Sequence, residues 1–133
     1  MPKKKIKILI VEDEPMILDM YQTKLTQSGF AVIKAEDGAA GISLAQLELP
    51  NLILLDILMP KIDGYEMLKT LKTMSATKDI PVIIFSNLSQ PNEVEKGLQL
   101  GANDFIIKSS VTPNEIANKV NNYLTKNYGK TNC

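Results

Sequence analysis

Five short aliphatic runs recur along this chain, each followed by a stretch with helical spacing. That alternation restricts the fold more than any other feature. The runs are Ile6–Val11, Ala31–Ala35, Leu52–Leu55, Val82–Phe85 and Phe105–Ile107. Most are continuously hydrophobic rather than alternating with polar residues. Strands buried on both faces read this way, which points to a parallel sheet covered on two sides. Lys7 and Lys34 interrupt the first two runs and are expected at strand ends, or with their ammonium groups reaching to solvent.

The intervening stretches read as helices. Ile17, Leu18, Tyr21 and Leu25 share one face, with Pro15 in the first turn and Gly29 just past the end. Ile42, Leu44, Ala45 and Leu47 mark a shorter helix that stops before Pro50. Met67, Leu68, Leu71 and Met74 mark a third, opened by Asp63 with Glu66 three residues on, a capping-box pattern. Val94, Leu98 and Leu100 mark a fourth, between Pro91 and Gly101. Thr112 and Glu115 form another capping box, leading into Ile116, Ala117, Val120 and Leu124. Five strand–helix repeats with short connections define an α/β domain with right-handed crossovers. Five strands are too few for an eight-stranded barrel. The reading is a doubly wound three-layer sandwich around a five-stranded parallel sheet in the order 2-1-3-4-5. The domain is expected over residues 1–126, with residues 127–133 as a C-terminal tail.

Composition narrows the chemistry. The 133 residues suit one domain, and 44% hydrophobic with 23% charged residues exclude disordered, collagenous and coiled-coil chains. Fifteen basic residues balance fifteen acidic ones, so no overall basic field favours direct nucleic-acid binding. The chain has no His, which removes serine–histidine and cysteine–histidine catalysis, histidine zinc sites and a phosphohistidine carrier role. Its one Cys is Cys133, so neither an intrachain disulfide nor a Cys-based metal site can form. The longest apolar run near the N-terminus, Ile8 to Val11, is too short for a signal peptide or membrane insertion. A reducing, cytoplasmic setting is expected, and Lys3, Lys4, Lys5 and Lys7 read as a solvated tail entering the first strand.

In open α/β sheets, ligands bind beyond the carboxyl ends of the strands where the strand order reverses, here between strands 1 and 3. Strand 1 runs into Glu12 and Asp13, strand 3 into Asp56, strand 4 ends at Ser86 and strand 5 at Lys108. Polar residues therefore collect on one edge of four neighbouring strands. Three adjacent carboxylates repel one another unless a cation compensates. Oxygen ligands without His or Cys select a hard cation, and a sparse set that leaves room for waters suits Mg²⁺. Carboxylates, a divalent cation, a lysine and a hydroxyl make a site suited to phosphoryl chemistry. With no Walker loop to hold a nucleotide, a central Asp can itself be the nucleophile and form an acyl phosphate.

These residues resemble a response-regulator receiver domain of bacterial two-component signalling, of the single-domain chemotaxis type. The likeness runs from about Lys5 to about Lys126. It rests on Val11-Glu12-Asp13-Glu14, Leu54-Leu55-Asp56, Met59-Pro60-Lys61-Ile62-Asp63-Gly64, Phe85-Ser86, Gly101-Ala102 and Phe105-Ile106-Ile107-Lys108. The resemblance implies a flavodoxin-like fold and Asp56 as phosphoacceptor, loaded by a sensor histidine kinase or a phosphotransfer protein. It implies Mg²⁺ (or Mn²⁺) on Asp13, Asp56 and the Leu58 carbonyl, with Glu12 acting mainly through water. Ser86 matches the hydroxyl that turns toward the phosphoryl group, Lys108 the lysine that pairs with it, and Phe105 the aromatic that swings inward. Output is expected through the face of helix 4, strand 5 and helix 5 toward a downstream target protein, from a monomer or a weak phosphorylation-dependent dimer.

Three departures stand out. Ser109 follows the lysine where the family usually has Pro, often after a cis bond, and a trans peptide is expected here. Asn87 follows Ser86 where Ala or Gly is usual, and should either crowd the phosphoryl entrance or add a hydrogen bond. Leu58 and Leu88 flank the site where faster-hydrolysing relatives carry polar residues. The alternative is a degenerate receiver acting as a phosphorylation-independent interaction module. A flavodoxin-like cofactor carrier would want a Ser/Thr-rich phosphate loop after strand 1. An Asp-nucleophile phosphatase would want a second Asp where Leu58 stands.

Overall fold

The computed structural model describes residues 6–59, 63–87 and 90–129. The elements alternate as read from the sequence: β1 (Lys7–Val11), α1 (Pro15–Gln27), β2 (Ala31–Ala35), α2 (Gly38–Glu48) and β3 (Leu52–Leu55). They continue with α3 (Gly64–Thr73), β4 (Val82–Ser86), α4 (Pro91–Gln99), β5 (Asp104–Ile107) and α5 (Pro113–Gly129). All four strand pairings are parallel and the sheet order is β2-β1-β3-β4-β5. The helix α5 runs three residues past the expected boundary at Lys126. The Lys3–Lys5 cluster, Pro60 to Ile62, Leu88 and residues 130–133 lie outside the described residues.

Because strand side chains alternate between faces, the three central strands each feed two cores. Ile8, Ile10, Leu52, Leu54, Ile83 and Phe85 pack with Leu18, Tyr21 and Leu25 of α1 and Ile116, Val120 and Leu124 of α5. Leu9, Val11, Ile53, Leu55, Val82 and Ile84 face the other way, onto Ala45 of α2 and Met67, Leu68 and Leu71 of α3. Most of these side chains are fully buried, and each such aliphatic contributes about 1.5–3 kcal/mol. The edge strand β2 is only partly covered, which accommodates Lys34; its ammonium pairs with Asp19 of α1 at 3.1 Å. Lys7 begins β1 and reaches Glu48 at the end of α2.

In two helices the marked face does pack, through Ile42, Leu44 and Ala45 of α2 and through Leu100 after α4, but one marked leucine in each stays outside. In α2, Leu47 is 75% exposed, while Gly38, Gly41 and Ala45 are buried. In α4, Leu98 is exposed and Gly97 is the buried residue. Both helices lie too close to their neighbours for a large side chain: a Cβ on Gly97 would stand 2.5 Å from Ile84 Cδ1. Small residues form the tightest contacts, and Leu47 and Leu98 are left outside.

Asparagines set the strand starts. Asn51 Oδ1 accepts the Lys7 N–H while its own N–H donates to the Lys7 carbonyl. Asn103 exchanges the same two bonds with Val82 at the start of β4. The capping box expected at Thr112 forms, with Thr112 and Glu115 bonding reciprocally, whereas at Asp63 the structure gives the N-cap half, its carboxylate accepting the Glu66 N–H. No described helix is long and apolar enough to cross a membrane.

Candidate functional site

Parallel strands deliver their C-terminal residues to one edge, and the register brings the expected polar groups together there. Val11 pairs with Leu55, so the residues that follow, Glu12 and Asp56, emerge side by side. Ser86 ends β4 fully buried, and Lys108 follows β5 directly in a single 3₁₀ turn, Lys108–Ser110. Glu12, Asp13 and Asp56 each present a carboxylate oxygen within 4.8 Å of the others; Glu12 and Asp56 are buried and Asp13 half-buried.

The Lys108 ammonium sits between two of these carboxylates. It donates to Glu12 Oε1 and, at 3.1 Å, to Asp56 Oδ2. All three side chains are at most 10% exposed, so the pairing is sheltered from bulk screening. The Phe85 ring lies below the ammonium, 5.8 Å from its centroid, and is itself fixed edge-on against Tyr21 at 4.9 Å. Backbone donors hold the remaining oxygens: the Glu14 N–H donates to Glu12 Oε2 and the Leu58 N–H to Asp56 Oδ1, both at 3.1 Å.

Burial pushes the Glu12 carboxyl above its ordinary range; the bonds from Lys108 and Glu14 oppose this, and the Asp56 charge adds to it. Burial alone would lower Lys108, but its bond to Glu12 and the charges of Asp56 and Glu12 outweigh that and hold the ammonium above its usual value. Lys108 is thus a fixed positive charge. Three carboxylates against one ammonium leave an excess of negative charge at an all-oxygen cluster, which fits a hard divalent cation such as Mg²⁺.

The flanking residues divide. Leu58 is 54% exposed and lines a cavity with Asp13, Ile57, Met59, Asp63, Tyr65 and Glu93 beside the acidic cluster. Asn87 is exposed and forms a hydrogen bond: its Oδ1 accepts the Ser109 N–H at 3.0 Å. No cis peptide bond occurs among the described residues, in line with the trans bond expected before Ser109. Phe105 is half-buried on the α4 side of the sheet, where a Cβ on Gly97 would lie 3.3 Å from its ring.

Nothing in the sequence distinguishes Tyr65, one aromatic in the first turn of a helix. It ties α3 to α4: its hydroxyl donates to the Glu93 carbonyl at 2.9 Å, and the Lys96 ammonium lies 4.3 Å from its ring centroid.

Fold and site together define a class, and comparison with known proteins agrees. The sequence pattern of the response regulator receiver domain matches residues 8–121, and this chain belongs to that family. It is 37% identical over 127 residues to the probable transcriptional regulator ycf27 of Cyanophora paradoxa, a match covering 96% of this chain and 52% of that protein. The chain spans about half the length of the curated relatives it matches. Its fold resembles the CheY-like receiver domain protein of Methanospirillum hungatei JF-1, with a TM-score of 0.87, 26% identity and coverage of 96% and 99% of the two chains. It also resembles the BeF3-activated DrrB receiver domain, with a TM-score of 0.79, 29% identity and coverage of 91% and 98%.

Proposed function

We propose that this receiver is a phosphorylation-controlled switch in which Asp56 is the phosphoacceptor. The observation that carries the reading is the setting of its carboxylate. One oxygen is held by a backbone N–H and the other by a buried ammonium, with two further carboxylates within 4.8 Å. Such a group is positioned before any donor arrives, and positioning is most of what phosphoryl transfer needs.

In the proposed step, an Asp56 carboxylate oxygen bonds to phosphorus as the bond from phosphorus to the donor nitrogen breaks. The electron pair of that bond leaves with the nitrogen. The donor is the phosphohistidine of a sensor kinase or of a phosphotransfer protein, met in the cytoplasm. The chain is a phosphoryl acceptor rather than an enzyme acting on other substrates. Lys108 pairs with the charge that builds on the phosphoryl oxygens, and Ser86 donates a hydrogen bond to one of them. Asp13, Asp56 and the Leu58 carbonyl would hold Mg²⁺ or Mn²⁺ directly, with Glu12 through water. The bound cation supplies charge neutralisation where carboxylate and phosphoryl oxygens converge.

The phosphoryl group adds about two negative charges. Movement of Ser86 toward it vacates space on the α4 side of the sheet, which the half-buried Phe105 is placed to fill. The two rearrangements form one packing choice that phosphorylation biases, and the face of α4, β5 and α5 presents the result to a downstream target. Incubation with acetyl phosphate and Mg²⁺ tests the reading by intact-protein mass spectrometry. One phosphoryl group should add, and none with chelator or in Asp56→Asn. Uptake indifferent to chelator, or retained in that variant, overturns it.

A further inference from the structure

We infer that Asn87 is a positioning residue for phosphoryl transfer, acting on Lys108 through the backbone of Ser109. The inference rests on the reading of Asp56 as phosphoacceptor and names a part of that site which the acidic cluster and Lys108 do not supply. The last paired residues of β4 and β5 are Ser86 and Ile107. One step beyond that pair, the Asn87 carboxamide carries the connection onward, its Oδ1 accepting the Ser109 N–H at 3.0 Å. Lys108 is therefore anchored on both sides, by the strand ladder at Ile107 and by this clasp at Ser109.

The turn that holds Lys108 needs such an anchor. It is a single 3₁₀ turn of three residues, and the bond closing it, from the Val111 N–H to the Lys108 carbonyl, is long at 3.4 Å. The Lys108 side chain spans from this turn to two carboxylates on two other loops. A shift of its Cα by a fraction of an ångström is passed along the stem to the ammonium. The clasp also needs both unusual residues. A proline at 109 has no N–H to donate, and an alanine or glycine at 87 has no side-chain acceptor. Asn87 follows Ser86 directly, so the clasp joins the loop leaving the hydroxyl to the loop leaving the lysine.

The bond is exposed, so its net strength is that of one ordinary hydrogen bond at the weaker end. Removing it should change rates by about two- to fivefold, as expected for that strength. The experiment uses Asn87→Ala with two readouts. Amide hydrogen exchange at Ser109, followed by NMR, should quicken by a similar factor, which reads the clasp without any phosphoryl donor. The Mg²⁺-dependent rate of uptake from acetyl phosphate should fall about two- to fivefold, with the affinity for Mg²⁺ alone unchanged. In a Lys108→Met background, Asn87→Ala should slow uptake no further.

Unchanged Ser109 exchange in Asn87→Ala overturns the clasp. Faster exchange with uptake equal to wild type overturns the positioning role, as does an equal slowing with and without Lys108. Wild-type protein that protects Ser109 yet takes no phosphoryl group overturns the phosphoacceptor reading itself, and the positioning role with it.

Discussion

Gly64→Ala tests how tightly the start of α3 is pressed against the segment that carries Asp56. The Gly64 N–H donates to the Ile57 carbonyl at 3.0 Å. A Cβ at this position would stand 2.5 Å from both the Asp56 carbonyl oxygen and Ile57 Cα. Those are backbone atoms, so no change of rotamer relieves the contact. Favourable contact between carbon atoms begins at about 3.5 Å, so helix and loop must separate by about 1 Å. Overpacking of this kind costs about 1–3 kcal/mol, and alanine's helix propensity returns up to ~1 kcal/mol, less in a first turn. A net loss of about 2 kcal/mol is expected, or roughly 6–8 °C in Tm for a chain of this size. Because the loop that yields carries Asp56, phosphoryl uptake should fall as well. Gly29→Ala is the comparison: φ there is +100° with nothing within 4 Å of an added Cβ. It should cost about 1–2 kcal/mol of backbone strain and leave uptake unchanged. Thermal unfolding followed by circular dichroism, with uptake measured in parallel, reads both variants. Gly64→Ala with wild-type stability and uptake, or Gly29→Ala with the same loss of uptake, would refute the reasoning.

Three further outcomes follow from the geometry. Lys108→Met leaves Glu12 and Asp56 buried without their cation, and should cost about 3–5 kcal/mol in urea unfolding, partly restored by Mg²⁺; a loss below about 1 kcal/mol would show the pair to be weakly coupled. Ser86→Ala should still bind beryllofluoride with Mg²⁺, yet lose the amide NMR shifts around Phe105 and along α4; their survival would exclude a route through Ser86. Tyr65→Phe removes the hydroxyl bond to the Glu93 carbonyl and should cost about 0.5–1.5 kcal/mol at neutral pH. Burial first, then the charges of Glu93 and Asp63, raise the Tyr65 pKa above 10.0. The folded state therefore holds its proton where the unfolded chain releases it. The stability that follows is complete below about pH 10 and is lost as pH rises through the folded value. Unfolding midpoints of wild type and Tyr65→Phe should converge above about pH 10, and a constant gap would contradict this assignment.

The strands were legible because a strand buried on both faces must be aliphatic throughout, and Leu52–Leu55 or Val82–Phe85 fit no other parallel-sheet role. The site was legible for a topological reason: once the sheet order is 2-1-3-4-5, the residues just after each strand share an edge. Leu47 and Leu98 mislead because hydrophobic spacing registers bulk, whereas the closest approaches of α2 and α4 fall at Gly41 and Gly97, where bulk is excluded. Asn51 and Asn103 are illegible in a different way. Each is a polar loop residue whose importance lies in one backbone partner distant in sequence, and nothing local distinguishes it from a solvated asparagine. Asn87 reads from sequence as either a steric block or a hydrogen-bonding group, and only the position of Ser109 separates the two.

The central claim is that the phosphoryl group resides on the Asp56 carboxylate as an acyl phosphate. Borohydride reduces an acyl phosphate to the alcohol and leaves a free carboxylate untouched, so the modified aspartate becomes homoserine. After incubation with acetyl phosphate and Mg²⁺, reduction and proteolysis, peptide sequencing by mass spectrometry should find homoserine at position 56 and aspartate at positions 13 and 63. Homoserine at another position, or aspartate at 56 in protein that has demonstrably taken up phosphate, would contradict the account.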